Sequence, residues 1–142
     1  MVFLIRDLMA TEFPTFPAHE DARSCLEELV RRREGYALVV EDGRTVAIVT
    51  EWDFIEKVLA RGRDPSKITI GEIASRPVKS VALSSPTMDV VEEMQRQGIR
   101  RMVVVDGDRT VGVVTMKRIF EAFRKYVDQV SSDIARLQSA TP

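Results

Sequence analysis

Placed beneath itself at an offset of 65 residues, this sequence stays in register without a gap across most of its length. Ile5 falls on Ile70, Glu27-Glu28 on Glu92-Glu93, Val39-Val40 on Val104-Val105, Arg44-Thr45-Val46 on Arg109-Thr110-Val111, and Val49-Thr50 on Val114-Thr115. A repeat of this period means two copies of one supersecondary unit, each too small to bury its own apolar face. Both copies pass through the same changes of pattern. Ala22, Cys25, Leu26, Leu29 and Val30 recur at helical spacing, as do Val90, Val91 and Met94 in the second copy. His19-Glu20-Asp21 and Ser85-Pro86-Thr87 supply helix-start chemistry. Two β-rich runs follow, split by the polar turns 41-EDGRT-45 and 106-DGDRT-110, a hairpin signal. A second helix closes each unit, from Glu51 to Arg61 and from Met116 onward. With a short entry strand near Thr15-Phe16 and Ser80-Val81, each copy reads β-α-β-β-α.

The expected fold class is therefore α/β (α+β), two such repeats packed with pseudo-twofold symmetry plus an extended C-terminal helix. Repeat 1 is expected over residues 1–62, a linker over 63–69, repeat 2 over 70–125 and a helical extension over 126–142. That extension continues the stripe of Ile119, Phe120, Phe123, Tyr126, Val127, Val130, Ile134 and Leu137 without Pro or Gly. It exceeds what the repeat needs, so self-association is expected, either helix against helix or helix across a partner module.

Composition narrows the function classes. At 142 residues and 44% hydrophobic content the chain can build a core, and 21 basic against 22 acidic side chains give no global field for a nucleic acid or an anionic membrane. Polynucleotide binding through Arg31 to Arg33 and Arg100-Arg101 ranks last for that reason, and a solvated face is the plainer reading of Arg31 to Arg33. One cysteine, Cys25, permits no internal disulfide and reads as a buried helix residue in a reducing compartment. MVFLIRDLMA carries charge too early for a secretory signal, and no run is long enough to span a membrane, so a cytoplasmic location is expected. His19 is the only histidine, which argues against histidine metal sites and catalytic triads; the chain reads as no enzyme.

The stretch 47-AIVTEWDF-54 returns as 112-GVVTMKRI-119, with Asp53 exchanged for Arg118. At the start of a helix an ionised carboxylate accepts two hydrogen bonds, as from adjacent sugar hydroxyls, while Thr50 offers a hydroxyl and the first-turn amides favour an anion. Residues 50–53 equally suit an N-cap with acids in the first turn, and the local sequence leaves both open. Trp52 suits a packing or dimer surface better than a base-stacking platform.

With 5-IRDLM-9 before a strand, the hairpin 103-VVVDGDRTVGVVT-115 and the Gly-φ-φ-Thr-x-x-Asp pattern of 47-AIVTEWD-53 (Ala47 replacing the usual Gly), the chain resembles a tandem pair of CBS domains over about residues 4 to 125. The resemblance implies regulatory binding of AMP, ADP or ATP, or else of S-adenosylmethionine, in a cleft between the repeats, with no required cofactor or metal. It places Asp53 and Thr50 on the ribose, Ile48 and 77-PVK-79 (Pro77, Val78, Lys79) against adenine through main-chain groups, and Arg101, Lys117 and Arg100 on phosphate. Because β alternation sends Arg100 and Arg101 to opposite faces, only one of them is expected to enter a given cleft. The mirror cleft would use Phe13, Pro14, Thr15, Tyr36, Ala37, Val113, Thr115 and Arg118; lacking a carboxylate and a basic pair, it is expected to bind weakly or not at all. The resemblance also implies a homodimer and an unidentified protein effector, the competing reading being a purely structural dimerisation or docking module with empty clefts.

Overall fold

The computed structural model describes residues 3–140. Each repeat supplies a three-stranded mixed sheet. In the first, β1 (Thr15–Pro17) runs parallel to β2 (Tyr36–Glu41), which forms a hairpin with β3 (Arg44–Thr50). In the second, β4 (Ser80–Ala82), β5 (Arg101–Asp106) and β6 (Arg109–Thr115) repeat that order and even the same bulge, between Val39 and Val40 and between Val104 and Val105. The hairpin turns need left-handed backbone, which Asp42-Gly43 and Gly107 adopt at φ 50°, 76° and 63°. The helices are α1 (Ile5–Leu8), α2 (Ala22–Arg32), α3 (Glu51–Phe54), α4 (Ile70–Ile73), α5 (Thr87–Gln97) and α6 (Met116–Ser139). Asp21 caps α2 by accepting from the Ser24 hydroxyl at 2.7 Å and the Ser24 amide at 2.8 Å, and these hydrogen bonds hold its carboxyl below the usual range. The single helix expected from Glu51 to Arg61 instead widens into a π-helical turn over Ile55–Leu59. None of the described helices is long and apolar enough to cross a membrane.

The repeats read along the chain are not the units that pack. Ile70 and Ile73 of α4, with Ile68 just before it, complete the core formed by α2, β2, β3 and Val58 of the first repeat. Reciprocally, Ile5 of α1 lies in the core of α5, β5 and β6, with Met9 packed against it. Burying Ile5, Ile70 and Ile73 completely contributes roughly 1.5–3 kcal/mol apiece, so each entry segment is tied to the other repeat. A third apolar cluster, Tyr36, Leu38, Val103 and Val113, joins the two sheets face to face as the repeat pattern requires.

The exchange obeys the 65-residue offset. Ala10 bridges Val113 while Ser75 bridges Ile48, and Leu4 bridges Pro86 while Thr69 bridges Asp21; each pair of bridges is one contact seen from the two repeats. Thr45 and Thr110, equivalent positions, touch each other through their hydroxyls at 3.1 Å and so mark the pseudo-twofold axis. The departure of Ala47 from the motif glycine is explained here. A Cβ on its equivalent, Gly112, would come within 2.6 Å of Met9 Sδ and 2.8 Å of the Ala10 carbonyl, where the entry segment crosses the strand. At Ala47 the crossing residue equivalent to Met9 is Ala74, small enough to make room.

Candidate functional site

Where the α4–β4 segment crosses β3, the exchange opens a cleft of about 590 Å³ between the repeats. Ile48 and Thr50 of β3, Glu51 and Trp52 of α3, and Ile55 form one wall; Ser75, Arg76, Pro77 and Lys79 come from the crossing segment, and Gly98 to Arg101 from the turn before β5. The volume lies in the ordinary range of small-molecule sites. Four cations, Arg76, Lys79, Arg100 and Arg101, face one acid, Glu51. Arg76 is held by Glu41 at 2.9 Å and Arg101 lies over the Tyr36 ring at 5.4 Å, whereas Lys79 and Arg100 make no ion pair among the described residues. Lys79 still shares the field of Glu93, so the pull on an anion beside the apolar wall comes from the cluster of cations rather than from one bare charge.

Both Arg100 and Arg101 line this cleft, contrary to the expectation that only one would. The reason is local. Gly98 closes α5 in the left-handed conformation and β5 begins only at Arg101, so Arg100 still belongs to the turn and strand alternation does not govern it.

Asp53 sits behind the cleft wall with only 4% of its surface exposed, and all its lone-pair sites are engaged. Its Oδ2 accepts from the Thr50 amide at 2.9 Å and the Thr50 hydroxyl at 3.4 Å, completing a capping box; its Oδ1 accepts from Lys57 Nζ at 2.9 Å and Ser75 Oγ at 2.9 Å. Lys57 donates a second bond to the Ile73 carbonyl at 2.8 Å, so the cluster staples α3 to the crossing segment of the other repeat. Of the two employments the sequence left open, the structure displays the cap. A sugar hydroxyl reaches Asp53 only by displacing Ser75 or Thr50, the two hydroxyls that present themselves to the cleft.

The remaining predicted residues divide. Ile48, Thr50, Pro77 and Lys79 line the cleft, but the Ile48 amide and carbonyl are both bonded to Ser75, at 3.3 and 2.9 Å, and the Lys79 carbonyl accepts from Val103 at 2.9 Å. The Ile48 amide is therefore spent, while the Ile48 and Lys79 carbonyls each keep a second lone pair. Val78 turns into the core between the sheets. Lys117, exposed in the first turn of α6, is not part of the lining. On the mirror side Tyr36, Ala37 and Val113 are buried, Phe13 packs on the same inter-sheet core, and the Pro14 carbonyl accepts from Leu38 at 2.9 Å. Thr15 lies exposed on β1, Thr115 caps α6 by accepting from the Arg118 amide at 3.1 Å, and the exposed Arg118 lies near enough to Tyr36 to oppose the rise of its phenol. Tyr36, the equivalent of Arg101, is buried in the core between the sheets with that arginine over its ring; burial, with Glu34 beside it, pushes its phenol up to about 12.

Sequence reasoning missed Ser75, Lys57, Arg76 and Ile55. A signal for two of them was present: the equivalents of Asp53, Lys57 and Ser75 are Arg118, Ala122 and Ala10, so the repeats differ together at the three members of one cluster.

Comparison with known proteins agrees with this architecture. The CBS domain profile matches residues 5–60 and 70–125. An uncharacterized protein of Methanopyrus kandleri, MK0525, is 29% identical over 102 residues, 71% of this chain and 52% of the relative, so the chain spans about half the length of that curated protein. The CBS domain pair of protein MJ0100, solved in complex with 5'-methylthioadenosine and S-adenosyl-L-methionine, superposes with a TM-score of 0.78 at 28% identity, covering 89% of this chain and 99% of that one. A protein from Pyrobaculum aerophilum, PAE2072, complexed with AMP, superposes with a TM-score of 0.73 at 26% identity over 82% and 89% of the two chains.

Proposed function

Because the chain belongs to the CBS domain family, in which it is a tandem pair, we propose that it is a regulatory module sensing an adenine nucleotide in the cleft between its repeats. The observation that carries this reading is the cleft itself: an apolar side of Ile48, Ile55, Ile99 and Trp52 suited to a flat base, opposite a basic side of Lys79, Arg100 and Arg101 suited to phosphate. A related pair is described with AMP and another with S-adenosyl-L-methionine and 5'-methylthioadenosine, which supports an adenine-bearing ligand. The surplus of cations favours the nucleotides, AMP, ADP or ATP, over S-adenosylmethionine, whose sulfonium adds positive charge. Ser75 and Thr50 meet the ribose, with Asp53 polarising their hydroxyls from behind, and Lys117 stays outside.

Ligand touching both walls bridges the two repeats, so occupancy biases their relative placement and is conveyed to a protein effector. The reading is tested by calorimetric titration of AMP, ADP, ATP and S-adenosylmethionine into the wild type, Lys79→Gln and Arg100→Gln. The expected result is nucleotide binding that each charge removal weakens severalfold and that added salt weakens further. If no adenine ligand binds, or if both variants bind as well as the wild type, the reading fails and a purely structural dimerisation module takes its place.

A further inference from the structure

The C-terminal helix carries a second periodicity besides the one that docks it. Ile119 packs into the second core and Tyr126 meets Phe3 edge-on at 5.7 Å, which fixes the face of α6 turned toward its own body. Beside that face Phe120, Phe123, Val127, Val130 and Ile134 follow in alternating steps of three and four residues, with Met116 and Leu137 in the same register. The five stand 65%, 55%, 44%, 37% and 50% exposed. Strict three-four spacing is the 3.5-residue repeat of a seam that supercoils with another helix. From Val127 to Ser139, thirteen residues, every residue is exposed, a length at which an isolated helix is marginal in water.

We propose that α6 pairs antiparallel with α6 of a second copy of this chain, through the seam Phe120 to Ile134. The seam opens at Phe123 onto an apolar groove of about 640 Å³ whose other walls include Leu4, Pro86 and Met88. An antiparallel register centred between Val127 and Val130 sets Ile134 of the second copy beside Phe123 at the mouth of this groove. It covers Leu4 and Met88, themselves 50% and 64% exposed. Phe123 then meets Ile134 in the outer layers and valine meets valine in the middle. The flanking positions Arg124, Tyr126, Ser131 and Asp133 bring no like charges together in this arrangement. Seam and groove together hide on the order of 1,000 Å² of apolar surface over two copies, the scale at which specific interfaces begin. The pairing does not depend on what fills the cleft between the repeats.

Sedimentation velocity and cysteine cross-linking test this. The wild-type chain is expected to sediment as a dimer at micromolar concentration, and Val127→Glu/Val130→Glu as a monomer with the circular dichroism of the folded body retained. Phe123→Cys protein mixed with Ile134→Cys protein is expected to form a mixed disulfide, while Phe123→Cys alone does not cross-link; the native Cys25 is buried. A monomeric wild type, which would leave the seam to a different protein, overturns the proposal. So does a dimer that survives the two glutamates, or cross-linking of Phe123→Cys with itself. Nucleotide titration of the monomeric variant separates this outcome from the fate of the cleft.

Discussion

Replacing Asp53 by alanine should cost stability well before it reports on any ligand. The substitution removes one N-cap partner, worth about 1 kcal/mol, and leaves Lys57 bonded only to the Ile73 carbonyl. Stripping one member from a buried ion pair costs about 3–5 kcal/mol where the remaining charge stays enclosed. The Lys57 side chain keeps 27% of its exposure, so its ammonium can swing toward water and recover part of that. The net expectation is a loss of about 2–4 kcal/mol, measured as a shift in the urea midpoint at unchanged slope. In a double-mutant cycle with Lys57→Ala, the combined loss should fall short of the sum by about 1 kcal/mol or more, since the second substitution removes the stranded charge. Additivity within about 0.5 kcal/mol, or an Asp53→Ala loss smaller than that, would refute the staple. The corollary for function is practical: weak nucleotide binding by Asp53→Ala does not separate a lost contact from a loosened wall, and exposed Lys79 and Arg100 are the discriminating positions.

Three further predictions concern the frame. Gly112→Ala should destabilise by about 1–3 kcal/mol in thermal or urea unfolding because its methyl strikes Met9 and the Ala10 carbonyl, and Met9→Ala should restore part of the loss, reproducing the Ala47–Ala74 pairing. Burial, with Glu20, Asp21 and Glu28 adding to it, pushes the Cys25 thiol from 9.0 up to about 12; the folded state therefore favours the neutral thiol, and this contribution is complete below pH 9 and lost as pH rises toward 12. A thiol reagent at pH 8 should accordingly label Cys25 no faster than the chain opens, and rapid stoichiometric labelling of the native protein would contradict its burial. Asp21, Asp64 and Glu72 are held below their ordinary values by hydrogen bonds to Ser24, Ser66 and Thr69, so their contributions are present above the usual carboxylate range and fade as pH falls through it; an acid titration by circular dichroism should show stability declining below about pH 4.5 and flat between pH 6 and 8.

The residues also show why some features were legible and others were not. Helix and strand signals over Ala22–Arg32 and Tyr36–Thr50 rest on spacings of two to four residues, and the doubled register amplifies them. Residues 63–69 read as a linker from their Pro and Ser, yet Ile68 is buried in the first core and Thr69 bridges Asp21. A lone isoleucine among turn formers gives no periodic signal, and the Ala22 amide that bonds its carbonyl lies far upstream at the start of α2. The same holds for Arg100, whose side was decided by the left-handed turn at Gly98 rather than by strand alternation.

By itself, then, the sequence determined the two-copy architecture, the order of elements, the hairpin turns and the chemical inequality of the two halves, because these depend on local pattern and on residue identity at matched positions. Only the tertiary structure decided that the entry segments change partners, that Asp53 is capped and stapled by Thr50, Lys57 and Ser75, and that Tyr36 is buried in the core between the sheets. A carboxylate's chemistry is written in its side chain. The donors that satisfy it come from wherever the folded chain brings them, here from 22 residues away in the other repeat's entry segment.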